Sequence, residues 1–211
     1  MSSAARSSLR GALTLLVFAL ICTALMSVTW LLTRARVADN EQAARLALLG
    51  EALPGIHYDN DPVADAITLP ADAAAQLGQA TAQAYPAQRL GVTQAVVIEA
   101  TAPDGYAGAI RLLVGVGRDG RVLALRVIGH KETPGLGDYI EATKSAWSAQ
   151  FTGASLQSPP ESQWALTKDG GRFDYMAGAT ITPRAVVRAV KAALAVVAAR
   201  RVMLFGEEGE R

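Results

Sequence analysis

From Gly11 to Thr33 the chain carries no charge, reading GALTLLVFALICTALMSVTWLLT between Arg10 and Arg34. As a helix this run extends about 35 Å at ~1.5 Å per residue, enough for the ~30 Å hydrocarbon core of a bilayer. Trp30 near one end suits an interfacial anchor. A cleaved signal peptide has a shorter apolar region, roughly 7–15 residues, ending in a small-residue site. No A-x-A site follows the run, and Arg34 and Arg36 flank it, so an uncleaved anchor is favoured. Residues 37–52 predict a second helix, with Leu46, Leu48 and Leu49 clustered and Leu53-Pro54-Gly55 as its stop. Residues 71–85 are Ala/Gln-rich and read as weakly helical.

From residue 93 the pattern changes. Residues 94–100, 109–116 and 122–128 read as strands, and Asp119-Gly120 between the last two is a hairpin signal. Gly115, Gly117 and Gly120 formally match GxGxxG. That fingerprint needs a strand, a glycine turn and then a helix, whereas here a second strand follows; a nicotinamide-binding Rossmann unit is rejected. Strands followed by helical segments predict an α+β domain with an antiparallel sheet and flanking helices. Residues 185–199 are apolar but interrupted by Arg188 and Lys191, which predicts a buried or amphipathic helix and not a second span.

Composition narrows the chemistry. The 211 residues allow one or two domains with a real core. A formal net charge of +1 gives no electrostatic case for nucleic acid. Cys22 is the single cysteine, so an internal disulfide, a cysteine zinc site and an iron–sulfur cluster are excluded. His57 and His130 are far apart in sequence, and no metal site is expected. His57-Tyr58-Asp59-Asn60-Asp61-Pro62 mixes cation-chelating and turn residues, and the turn is the preferred reading. No serine or threonine has a recognisable His/Asp set, so a hydrolase is poorly supported. Arg6, Arg10 and the terminal amine precede the apolar run, while Arg34, Arg36 and Arg45 follow it; this count leaves the topology open.

Two segments stand out. Ala177-Gly178-Ala179 presents Thr180 just before a helix start, where Thr182 is a cap candidate and Pro183 suits the first helical position. A helix N-terminus offers free N–H groups and partial positive charge, which suits a phosphate. The stretch therefore reads either as a turn with a capped helix or as a hydroxyl beside an anion site. The other segment is His130-Lys-Glu132-Thr133-Pro134-Gly135-Leu136-Gly137-Asp138. Its glycines permit tight turning, Leu136 offers an apolar cover for a flat ring, and Glu132 and Thr133 offer polar contacts. A plain connecting loop is the competing reading.

Together, HKETPGLGD at 130–138 and D-x-x-A-G-A-T-I-T-P at 174–183 strongly resemble the FMN-binding domain of the G subunit of the Rnf/Rsx electron-transport complex. The C subunit of the sodium-pumping NADH:quinone reductase shares the flavinylation pattern. Tyr58-Asp-Asn-Asp-Pro62, Ala102-Pro-Asp-Gly-Tyr106 and Lys168-Asp-Gly-Gly171 extend the resemblance over essentially the whole chain. Ala177 replaces the usual Ser or Thr, a departure that does not touch the acceptor.

The resemblance implies FMN attached covalently to Thr180 through a phosphoester bond, installed from FAD by a separate flavin transferase. It implies that Asp174, Gly178, Ala179 and Thr180 belong to the transferase recognition pattern. Gly178, Ala179, Thr182, Glu132, Thr133, Gly135, Leu136, Gly137 and Lys168 are the expected FMN contacts, with Tyr106 a weaker candidate and no catalytic residue. It further implies an electron-carrier subunit of a redox-driven ion translocase linking NADH and ferredoxin-type carriers. The other complex subunits are then its partners, and the soluble domain lies on the periplasmic side of a bacterial inner membrane. The expected division is a cytoplasmic tail 1–10, a span 11–33, a helical and loop region 34–92, and the FMN-binding core 93–211. The alternatives are a flavinylated subunit of a quinone-reductase chain and a cofactor-free membrane-anchored assembly module.

Overall fold

The computed structural model describes residues 3–206; residues 1–2 of the expected tail and residues 207–211 lie outside them, and residues 3–10 are described by backbone alone. The chain divides into two compact units, Met1–Ala44 and Arg45–Arg211.

Helix α1 runs Ser3–Glu51. Two helices, at 11–33 and 37–52, are expected from the sequence; they form one element because residues 34–49 contain neither Gly nor Pro to interrupt the backbone ladder. Among the described residues α1 is the one helix long and apolar enough to cross a membrane by length and composition, with mean hydropathy 2.4 over an 18-residue window. The Thr29 and Thr33 hydroxyls donate to the carbonyls of Leu25 and Thr29 at 2.9 and 2.8 Å. Polar groups inside the apolar run are thus satisfied by the helix itself. The Arg34 guanidinium lies 5.3 Å from the centroid of the Trp30 ring.

In the second unit five strands form one antiparallel sheet in sequential order. They are β1 (Ile67–Thr68), β2 (Gln83–Arg89), β3 (Val92–Gly105), β4 (Gly108–Gly117) and β5 (Val122–Gly129). Helices α2 (Ala71–Gln76), α3 (Ile181–Ala199) and α4 (Arg201–Phe205) complete the unit. Both sheet faces are covered at β3. Val96, Ile98 and Ala100 join the main core with Val186, Val190 and Leu194 of α3. Ala95 and Val97 turn the other way, onto Leu49, Ala52 and Leu53 around the end of α1. This alternation follows from the two-residue strand period, and each fully buried Val, Ile or Leu contributes about 1.5–3 kcal/mol. The apolar, twice-interrupted segment at 185–199 is therefore a core helix: Arg188 and Lys191 leave the core for ion pairs with Asp104, near the end of β3, and with Glu161.

The hairpin expected at Asp119-Gly120 forms, with the Gly120 N–H donating to the Gly117 carbonyl at 2.9 Å. Gly115 has a packing role: a Cβ there would stand 1.8 Å from the Ala52 carbonyl oxygen. Sequence reading misses β2, whose first residues, Gln83–Tyr85, fall at the end of the stretch read as weakly helical. Pro86 argues against a central strand, but β1 pairs only with Gln83 and Ala84, so Pro86 sits where β2 is an edge. The turn segment at 57–62 covers that edge. Asn60 Nδ2 donates to the Pro86 carbonyl at 2.9 Å, and Asn60 Oδ1 accepts the Gln88 N–H at 2.8 Å.

Candidate functional site

Two tight turns face each other at the N-terminus of α3. In the first, the Leu136 N–H donates to the Thr133 carbonyl at 3.1 Å, with Pro134 and Gly135 at the corner and Gly135 at φ 76°. In the second, the Ala179 N–H donates to the Met176 carbonyl at 3.0 Å, with Gly178 at φ 87°. A positive φ at the third position is the requirement of a type II turn, and glycine meets it without a Cβ clash. A Cβ on Gly178 would stand 3.8 Å from Leu136 Cδ1, so the turns are in packing reach of each other.

Between them lies a groove with about 490 Å³ of free space, open solvent included. Thr180, Gly178, Ala179, Thr182, Glu132, Thr133, Leu136 and Gly137 all line it, together with Tyr106 and Ile181. Leu136 and Ile181 remain 41% and 46% exposed, so two apolar side chains stand open at the groove. Gly135, Lys168 and Asp174 are not in its lining. Gly135 shapes the turn that carries Leu136. The Lys168 ammonium lies 5.8 Å from the centroid of the Tyr175 ring. Asp174 is exposed, and its backbone is held by Trp147 and Gln150.

The helix start differs from the sequence expectation. Thr180, not Thr182, occupies the N-cap position, with φ −106° and ψ −21°, and its side chain makes no capping hydrogen bond. These dihedrals are not the extended ones of a usual capping residue. The hydroxyl is half-buried at the groove, next to first-turn N–H groups that have no intrahelical acceptor. Thr182 is instead buried, and its hydroxyl donates to Glu132 Oε2 at 2.6 Å. Pro183 falls at the third helical residue, where its missing N–H is still harmless.

Glu132 is the pivot of the floor. It is 4% exposed, and its second oxygen accepts the Ala107 N–H at 3.0 Å. Both carboxylate oxygens therefore have protein partners, as buried polar atoms require. A Cβ on Gly137 would come within 2.9 Å of Glu132 Oε2, so this glycine keeps space for the carboxylate. The Glu132 N–H donates to His130 Nδ1 at 3.0 Å, and His130 Nε2 lies 2.7 Å from Glu141 Oε1. With Nδ1 accepting, the imidazole proton sits on Nε2 and points at Glu141. That contact holds the Glu141 carboxyl below its ordinary range.

Sequence reading passes over Tyr139. Its hydroxyl accepts the Met176 N–H and donates to the Ala179 carbonyl, each at 3.3 Å, closing the turn that precedes Thr180. Burial pushes this phenol up from its ordinary value. Its place directly after Gly137-Asp138 is the available signal. Asp138 fixes the neighbouring loop: one oxygen accepts the Gly135 N–H at 2.7 Å and the other the Lys144 ammonium at 3.1 Å. The Lys144 contact, chiefly, holds the Asp138 carboxyl low. On the other side of the helix start, Arg184 grips Asp169 through two nitrogens at 2.7 Å each, which depresses the Asp169 carboxyl.

A meandering sheet backed by one helix, with an uncapped threonine hydroxyl between two glycine turns, belongs to a flavin-binding class: residues 105–195 match the family described as FMN-binding domain. Residues 1–52 match the family described as RnfG N-terminal region. The chain is 50% identical over 204 residues to the G subunit of the ion-translocating oxidoreductase complex of Pseudomonas aeruginosa, covering 96% of this chain and 94% of that one. It is 46% identical over 186 residues to the corresponding G subunit of Vibrio cholerae, covering 88% of each. Among solved structures it is similar to NqrC of Shewanella oneidensis, with TM-score 0.44 and 23% identity, the match covering 56% of this chain and 57% of that one. The chain belongs to the family of G subunits of ion-translocating oxidoreductase complexes.

The groove fits FMN on its own chemistry. Leu136 and Ile181 offer apolar cover for a flat ring, and the helix start offers N–H donors and partial positive charge for a phosphate. The Thr180 hydroxyl stands where those two meet.

Proposed function

We propose that Thr180 carries FMN through a phosphoester to its Oγ1, and that the protein is the electron carrier of a membrane-bound Rnf-type complex. The observation that carries this reading is the Thr180 hydroxyl itself: it lines the groove at the N-terminus of α3 and makes no capping hydrogen bond. An N-cap threonine normally uses that oxygen to satisfy the helix. Here the oxygen is left for another bond.

Attachment is a phosphoryl transfer from FAD. The Thr180 oxygen forms a bond to the phosphorus on the riboflavin side while the bond from that phosphorus to the bridging oxygen breaks. AMP leaves with the electron pair, and the hydroxyl proton passes to a base of the transferase, because a threonine hydroxyl is not nucleophilic unaided. The net reaction is threonine plus FAD to threonyl-FMN plus AMP, with no change of oxidation state.

In the loaded protein, the first-turn N–H groups of α3 would hold the phosphate, whose charge the helix dipole would favour. Leu136 and Ile181 would cover the ring, and Tyr106 and Thr133 would border it. Glu132 fixes the floor through Thr182 and Ala107 instead of reaching toward a ligand. Lys168 and Asp174 act from outside the groove, Asp174 as part of the segment a flavin transferase reads. FMN supplies one- and two-electron exchange, while the protein binds, orients and shields.

The complex couples electron flow between NADH and ferredoxin-type carriers to ion movement. The span in α1 anchors the protein in a bacterial inner membrane, with the domain on the periplasmic side and the other subunits as partners. In-gel flavin fluorescence after denaturation tests the attachment: a band in the wild type and none in Thr180→Ala is expected, and a band surviving in that variant contradicts the assignment.

A further inference from the structure

The segment leading to Thr180 is held by its backbone. Trp147 Nε1 donates to the Asp174 carbonyl at 2.6 Å, and Gln150 Oε1 accepts the Asp174 N–H at 2.7 Å. Two residues on, the Tyr139 hydroxyl takes the Met176 N–H and gives its proton to the Ala179 carbonyl. Four backbone groups of residues 174–179 are thus met by three side chains from residues 139–150.

Those side chains are themselves fixed. The rings of Tyr139 and Trp147 meet edge to face at 5.6 Å, and those of Trp147 and Phe151 at 5.3 Å. Phe151 then stacks on Phe173 at 4.6 Å, directly before the held segment. Ser145 Oγ donates to the Tyr139 carbonyl at 2.6 Å and accepts the Trp147 N–H at 3.0 Å, tying the two anchors together.

The other side of the segment is open. Asp174, Tyr175, Met176, Ala177 and Gly178 are all exposed. A loop without such supports loses backbone entropy when a partner orders it. This loop has been ordered in advance and stays accessible.

The geometry points to Tyr139, Trp147 and Gln150 as positioning residues that present 174–180 as a preformed docking element. Its partner is an enzyme that transfers the FMN half of FAD to a hydroxyl. The inference rests on the reading of Thr180 as the attachment point. None of the three residues touches the reacting oxygen; they act through the turn that carries it. A purely structural cradle predicts a different outcome, namely lower stability with unchanged recognition by the transferase.

Steady-state flavinylation of the full chain in detergent, with FAD and a flavin transferase, separates these. Initial rates of covalent labelling are read by intact mass across a range of chain concentrations. In Tyr139→Phe, which keeps the ring and removes both turn hydrogen bonds, the apparent KM for the chain is expected to rise about tenfold. The kcat stays within about twofold, because the acceptor hydroxyl and the transferase are intact. A wild-type KM in folded Tyr139→Phe overturns the proposal. Should that variant not fold, Trp147→Phe, which removes the donor to the Asp174 carbonyl, is read by the same criterion. Thr180→Ala in the same assay keeps the two claims apart: labelling there overturns the attachment reading, whatever Tyr139→Phe does.

Discussion

Thr182 and Glu132, fifty residues apart in sequence, are joined by a 2.6 Å hydrogen bond in the buried floor of the groove. The bond links the start of α3 to the loop after β5. Replacing Thr182 by Val keeps the shape and removes the donor, leaving Glu132 Oε2 buried without it. Such a loss costs about 1–3 kcal/mol. Denaturant unfolding of the full chain in detergent is expected to show that drop, and an unchanged unfolding free energy contradicts the pairing.

Leu136 stands 41% exposed over the groove and faces Gly178. Leu136→Ala removes an apolar cover without touching Thr180. Covalent labelling is expected at the wild-type level, with a shifted flavin midpoint in a redox titration. A midpoint identical to wild type removes Leu136 from the ring's surroundings.

Asp169 makes a two-pronged contact with Arg184 beside the helix start, and its carboxyl is held below the ordinary range chiefly by that hydrogen bonding. A depressed folded value contributes stability at pH above the unfolded value of about 4, and that contribution is lost as pH falls through the folded value. Asp169→Asn lacks it at every pH. The gap in melting temperature between wild type and Asp169→Asn is therefore expected at neutral pH and closes toward about pH 2. A gap that stays constant over that range indicates another origin.

How much of this is legible in the chain depends on the distance between the interacting residues. The apolar run in α1, the Asp119-Gly120 hairpin and the two glycine turns are local patterns, and each appears where its sequence places it. Strand β2 is hidden because Pro86 and an Ala/Gln-rich context argue against a strand, and only its position beyond the short pairing with β1, on an edge covered by residues 57–62, resolves the conflict. The cap at Thr180 instead of Thr182 is hidden because both residues have capping side chains; a buried carboxylate from another loop claims Thr182. Tyr139 reads as one more aromatic until the chain brings it to a turn 37 residues away. Motif spacing thus locates the groove, while the groups that hold its shape come from long-range packing.

The topology has its own test. A reporter fused to the C-terminus is expected to be active when it responds to the periplasm. Activity from a cytoplasm-dependent reporter alone contradicts the proposed side.

Everything proposed for the groove depends on a covalent bond at one oxygen. Trypsin cuts after Arg172 and Arg184 and so releases the peptide FDYMAGATITPR, with Thr180 in its middle. Mass spectrometry of that peptide, from the denatured protein purified from cells containing the transferase, reads the bond directly. The expected peptide is heavier by one FMN less water, with fragment ions placing the addition on Thr180. An unmodified peptide, with flavin absent or released by denaturation, contradicts the attachment.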